Sequence, residues 1–264
     1  MKRLLLAAAC ALLCAGLGVK LAGQLPTATI GPIAQIHPPP ENYSFPNGQV
    51  LVYDAEWRLW TAGAARITVE PAGDNERVSA TADASGVVAV LYPVHDRFQS
   101  VVDSRTFCSI SIAKHTEEGF RARETLINFD YLRRRAVLDE TNLKNGEAKH
   151  AERDIPACVT DVISGIFYVG SLPLTPDAAY TFPLNDGGET VEVRAHVEAR
   201  ENIKTPAGTF AAIRVSPEAS SGTLKNRGRV WIWYSDDARH IPVQMRARLF
   251  WGTLTLRLVR TEKK

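Results

Sequence analysis

From residue 49 to the end of the chain, apolar and polar residues alternate with a period of two through segment after segment, the pattern of half-buried strands. One stretch after position 105 clearly breaks it: residues 158–169 (CVTDVISGIFYV), flanked by Pro156 and Pro173. There Val162, Ile163, Ile166 and Phe167 recur at helical spacing and form one broad apolar stripe. Many short strands with a single strong helix predict a mainly β fold, a strongly curved antiparallel sheet or incomplete barrel wrapping a central helix. Regular strand–helix alternation is missing, which excludes open Rossmann and TIM architectures.

The 264 residues divide into three expected parts. Residues 1–23 read as an export signal or N-terminal anchor: Lys2 and Arg3 precede an apolar run over residues 4–19, followed by small residues. The run is shorter than the roughly 20 residues that usually cross a bilayer, which favours cleavage over retention. Cys10 and Cys14 lack the context expected of a lipid-modified cysteine, since Leu12 and Leu13 precede the second. Residues 24–48 contain Pro26, Pro32, Pro38, Pro39, Pro40 and Pro46 without any sustained period, an extended tether. Residues 49–260 form a single β-rich domain. Removing the leader takes away Lys2, Arg3 and Lys20, so the formal charge falls from +2 to about −1. A nearly neutral domain with mixed signs gives no reason to expect nucleic acid as a partner.

Within the domain, Leu51, Tyr53, Ala55 and Trp57 share one face of the first strand. Residues 86–101 change period, and Val87, Val88, Leu91, His95 and Phe98 suit a short helix with Pro93 near its first turn. Strands resume near position 105, and Asn145-Gly146 signals a hairpin. Asp154 or Thr160 is available to cap the central helix, with Asp161 in its first turn, where negative charge is favoured. Residues 230–234 (VWIWY) are apolar on both faces and should be covered twice. Gly252 allows a bend, after which the apolar set shifts to Leu254, Leu256 and Leu258. In all, about ten strands and at most two helices are expected.

Cys108 and Cys158 are the cysteines outside the leader. An oxidising compartment permits a bridge between them, and two buried thiols are the alternative. Arg133, Arg134 and Arg135 fit a solvated sheet face beside Asp130, Asp139 and Glu140 better than an anion site, because the middle arginine faces opposite to its neighbours.

No catalytic or metal-site motif is present: G-x-G-x-x-G, the phosphate loop, H-E-x-x-H and C-x-x-C are all absent, and the six histidines never fall at metal-ligand spacing. The nearest approach to a catalytic cluster is Ser235-Asp236-Asp237-Ala238-Arg239-His240. These are also the residues of a polar turn, and no Gly-x-Ser-x-Gly context exposes Ser235 as a nucleophile. The expected sites are therefore catalytic none, cofactor none and metal none. The remaining candidate is an apolar cavity lined by Tyr53, Trp57, Ile166, Phe167, Trp231, Trp233 and Met245. Its alternative is that these side chains pack on the helix and leave no void.

Three segments, residues 157–168, residues 203–210 (IKTPAGTF) and residues 230–237 (VWIWYSDD) with Arg239 and Ile241-Pro242-Val243, together resemble the exported bacterial family of unknown function DUF3108. The likeness spans roughly residues 48–260. It implies a periplasmic or envelope location and no established activity. Where the family often has an arginine after its aromatic run, this chain has Gly170.

The expected function is a non-catalytic periplasmic binding or carrier protein for an apolar or amphipathic ligand. An envelope scaffold that binds another protein and an uncharacterised hydrolase are the alternatives. Expected partners are a lipid or other apolar small molecule, or an envelope protein, with membrane contact only where the leader is retained.

Overall fold

Side-chain alternation decides which face each strand buries. In β1 (Gln49–Trp57) the odd-numbered Leu51, Tyr53, Ala55 and Trp57 are buried and the even-numbered residues from Val52 on are less so. The computed structural model describes residues 34–263 apart from 42, 59, 188, 220–227, 250 and 251. The leader expected over residues 1–23 lies outside the described residues, as do the first ten of the tether and Trp251. Residues near the tether's end dock on the domain: Phe45 is buried, its ring 4.8 Å from Phe107 and 5.4 Å from Tyr43.

The chain continues as β2 (Trp60–Ala72), β3 (Asn75–Ala84), the helix α1 (Gly86–Leu91), β4 (His95–Asp103), β5 (Ser109–Glu118), β6 (Arg121–Asp130), β7 (Arg135–Asn142) and β8 (Ala148–Asp154). The helix α2 (Val162–Ser171) follows, then β9 (Ala179–Asn185), β10 (Thr190–Thr205), β11 (Gly208–Ala219), β12 (Arg229–Ser235), β13 (Pro242–Leu249) and β14 (Gly252–Lys263). Consecutive strands pair antiparallel in two meanders, β1 to β8 and β9 to β14, and β1 joins β14 at the seam.

The expected strongly curved sheet or incomplete barrel wrapping a central helix is corrected by this topology. Among the described residues, fourteen strands form a single large antiparallel sheet that is neither closed nor strongly curved, with β8 at one edge and β9 at the other, and two short helices accompany it. Closure would require the edge strands to pair. Instead β8 carries Lys149, His150, Glu152, Arg153 and Asp154, nearly all exposed, and such charged edges resist pairing. The chain between the two edges is occupied by α2 rather than by a ladder.

Two strands were not legible in the sequence. β4 hides in a stretch that also satisfies helical spacing; the helix ends at Leu91 because Pro93 cannot continue it, and Asp96, Phe98, Ser100 and Val102 then alternate inward. β9 is short and contains Pro183, which an edge strand tolerates. Gly252 marks a hairpin between β13 and β14 rather than a bend, since Leu249 pairs with Gly252. A Cβ at Gly252 would lie 2.6 Å from the Trp57 ring, and its φ of +155° disfavours a side chain as well.

The start of α2 is fixed from both sides. The Cys108–Cys158 disulfide forms, with Cα atoms 5.1 Å apart, and ties this segment to the start of β5. The Ser109 amide donates to the Val159 carbonyl, while Thr160 pairs in parallel with Leu184 of β9. One apolar cluster then joins Phe167, Tyr168 and Val169 of α2 with Leu51 and Tyr53 of β1, Phe98 of β4 and the inner rows of β9 to β12.

Candidate functional site

Asp161 sets the position of α2. Rather than lying in the first turn, it is the N-cap: Oδ1 accepts from the Ile163 and Ser164 amides at 2.8 and 3.0 Å, and the Asp161 amide donates back to Ser164 Oγ, completing a capping box. Its second oxygen accepts from Ser100, Ser109 and Ser164 hydroxyls at 2.5, 2.6 and 2.7 Å. All four residues are buried, so the carboxylate is anchored to β4 and β5 through a fully hydrogen-bonded polar knot. Two buried tyrosines hold other points. Tyr234 Oη donates to the Ile166 carbonyl at 2.8 Å and Tyr53 Oη to the Pro242 carbonyl at 2.7 Å; burial pushes both phenols above their ordinary range, so they remain neutral.

Held this way, α2 turns Val162, Gly165, Ile166 and Val169 toward a cavity of about 490 Å³. Their i, i+3, i+4, i+7 spacing is one face of the helix, and Gly165 leaves room where a larger residue would intrude. The opposite wall is sheet: Phe182 and Leu184 of β9, Val193 of β10, Ile232 of β12, Met245 of β13, and Leu254 and Leu256 of β14. Charge is confined to residues by the β11–β12 connection and to Arg246. There Arg229 Nη2 lies 2.9 Å from Glu198 Oε1, and Arg229 Nε lies 3.8 Å from Glu218 Oε1.

The structure brings two of the seven expected lining residues, Ile166 and Met245, to this cavity. Phe167 packs in the core among buried residues, as does Tyr53. Trp57 sits in a second cluster with Ala55, Ala62, Val94 and Leu254. Trp231 and Trp233 lie on the face of β12 opposite Ile232, where Arg229 stacks 4.9 Å over the first ring and Arg246 5.3 Å over the second. Trp233 Nε1 also donates to Glu201 at 2.8 Å. A strand apolar on both faces offered no cue to which face lines the cavity; Val230 and Ile232 do, while Trp233 is buried in the main core cluster. Val162, Gly165 and Val169 were legible only as parts of the helical stripe.

Ser235, Asp237 and His240 form a turn. Ser235 Oγ donates to Asp237 at 2.9 Å and accepts from the Ile241 amide, Asp237 pairs with Arg239, and His240 Nδ1 meets the Gly170 carbonyl at 2.8 Å. The hydroxyl and the imidazole therefore engage different partners. Among the described residues, no group of three or more His, Cys, Asp or Glu is placed to hold a metal ion.

No curated protein matches the chain in sequence. Among solved structures, a beta-barrel-like protein of domain of unknown function DUF1849 from Brucella abortus aligns over 88% of this chain and 100% of its own, with TM-score 0.58 and 8% identity, which shows a common fold. A protein from Bacteroides fragilis described as having a YmcC-like fold covers 87% of this chain and 100% of its own at 11% identity, with TM-score 0.37. The family model DUF3108, protein of unknown function, matches residues 52–259, and the chain belongs to that family of exported envelope proteins.

Proposed function

We propose that this protein is a non-catalytic periplasmic carrier that holds an apolar or amphipathic molecule between α2 and strands β9 to β14. The observation that carries this reading is the cavity of about 490 Å³, lined mostly by apolar side chains, with Glu218, Arg229 and Arg246 as its charged lining residues. Small-molecule sites fall in the range of roughly 300–1,000 Å³, mostly apolar with a few oriented polar groups. An apolar or amphipathic ligand suits this lining, with its apolar part against Ile166, Ile232 and Met245.

Native mass spectrometry of the protein purified from its own envelope tests this. A bound molecule should be retained by the wild type and lost from Met245→Trp, whose larger side chain enters the cavity while the fold stays intact by circular dichroism. A wild-type protein that carries nothing, or a ligand retained equally by the variant, would refute the assignment.

A further inference from the structure

We infer that the end of the sheet bearing α1 docks on a lipid bilayer surface, which rests on the carrier reading for its purpose but not for its geometry. α1 reads Gly-Val-Val-Ala-Val-Leu, carries no charge, and none of its residues is buried. On its two sides are hairpin tips that also present apolar side chains. Trp60, the first residue of β2, is 76% exposed, Val90 of α1 is 84% exposed, and Phe120, in the β5–β6 connection, is 97% exposed. The tips are neighbours: the Ser85 amide donates to the Ala62 carbonyl, and the Gly119 amide donates to the Pro93 carbonyl with the Tyr92 ring against Gly119.

A folded protein in water does not retain such a concentration of exposed apolar groups without a partner. Two features select a bilayer over another protein. The side chains project together from α1, with Trp60 at the start of β2 and Phe120 in the β5–β6 connection beside it, rather than forming a groove or a pairable strand, which suits insertion among lipid headgroups. Basic residues accompany the aromatic tips, Arg58 two positions before Trp60 and Arg121 directly after Phe120, as at membrane interfaces. The acidic neighbours are engaged: Glu117 meets His115, Asp83 meets His95 and Arg97, and Glu118 lies opposite Arg121 across the hairpin and beside Asp96.

The same end is continuous with the cavity. Val88 of α1 and Tyr92 at its C-terminal end pack against a cluster of Trp57, Ala62, Val94 and Leu254, and Leu254 is itself a cavity wall.

The test uses the full chain with vesicles of phosphatidylethanolamine and phosphatidylglycerol containing a phosphatidylethanolamine whose acyl chain is photoreactive. After illumination, adducts are mapped by peptide mass spectrometry. Adducts are expected at Trp60, on residues 86–91 and at Phe120, and the double variant Val90→Ser, Phe120→Ser should reduce them by about tenfold or more at unchanged circular dichroism. Labelling of the apolar residues 4–19 is read on separate peptides and does not bear on the result. Adducts confined to the N-terminal residues, or as frequent at the exposed Leu132 on the opposite end, would overturn the proposal. So would a concentration-dependent dimer that the double variant abolishes while no lipid adducts form at the rim. Rim adducts on a protein that retains no ligand would sink the carrier reading alone; cavity adducts at Met245 without rim adducts would sink the docking alone.

Discussion

Asp161→Ala should be among the most damaging single changes in the domain. The carboxylate accepts five hydrogen bonds, two from α2 amides and three from buried serine hydroxyls. Removing the cap costs about 1 kcal/mol. The hydroxyls differ in what they have left: Ser109 and Ser164 lie 3.1 Å apart and Thr160 is 2.8 Å from Ser164, so these can repair among themselves. Ser100 has no second partner of this kind, and an orphaned buried donor costs about 1–3 kcal/mol. With the volume lost at the same point, the sum is on the order of 3–5 kcal/mol, a fall in Tm of roughly 10 °C for a domain of this size. Asp161→Asn should cost only about 1–2 kcal/mol, because one amide oxygen still caps the helix and serine hydroxyls can rotate to accept from its nitrogen. Urea unfolding of the oxidised protein, followed by tryptophan fluorescence, measures both. A loss below about 1 kcal/mol for alanine at unchanged m-value, or asparagine as damaging as alanine, would refute the claim that this knot fixes α2.

Three further outcomes are expected. Replacing Cys108 and Cys158 by serine opens a loop of sequence separation 50 and should remove up to about 4 kcal/mol by chain entropy, seen as a lower urea midpoint than that of the oxidised wild type. Burial, followed by the like charge of Asp96, pushes the Glu118 carboxyl up to about 7, so the native state holds this proton more tightly than the unfolded chain. Stability should therefore fall as pH rises from about 4.5 toward 7 and level off above, and Glu118→Gln should flatten that part of a pH–stability curve. Gly170→Arg should destabilise by about 3 kcal/mol in thermal melts. A Cβ added there would lie 3.1 Å from the His240 carbonyl oxygen and 3.2 Å from the Tyr234 ring, and the cation would be buried.

The family, the β character, the helix and the two cysteines that pair were all legible in the chain, because each is written in local spacing or in residue type. The period of two set the inward row of β1, and the stripe from Val162 to Phe167 announced α2. A candidate cavity was also within reach, though only Ile166 and Met245 of its expected lining reach it. Residues 230–234 show why: where both faces of a strand are apolar, alternation states that neighbours oppose one another and leaves open which of them faces inward. Asp161 was legible as a residue favoured near a helix start, but Ser100 and Ser109, 61 and 52 positions away, had no local mark.

What the sequence determined by itself was the inventory of elements, through hydrophobic periodicity, proline placement and turn chemistry acting over a few residues. Only the tertiary structure decided how that inventory is joined: that β1 meets β14, that the charged β8 and the Pro-containing β9 end as separate edges of an open sheet, and that α2 occupies the connection between them. Those outcomes depend on strand ladders between residues as much as 214 positions apart, such as Gln49 and Lys263. Periodicity fixes the faces a strand offers, whereas the choice of its neighbour is a competition among all strands for hydrogen bonds and buried area, settled only when the whole chain is folded.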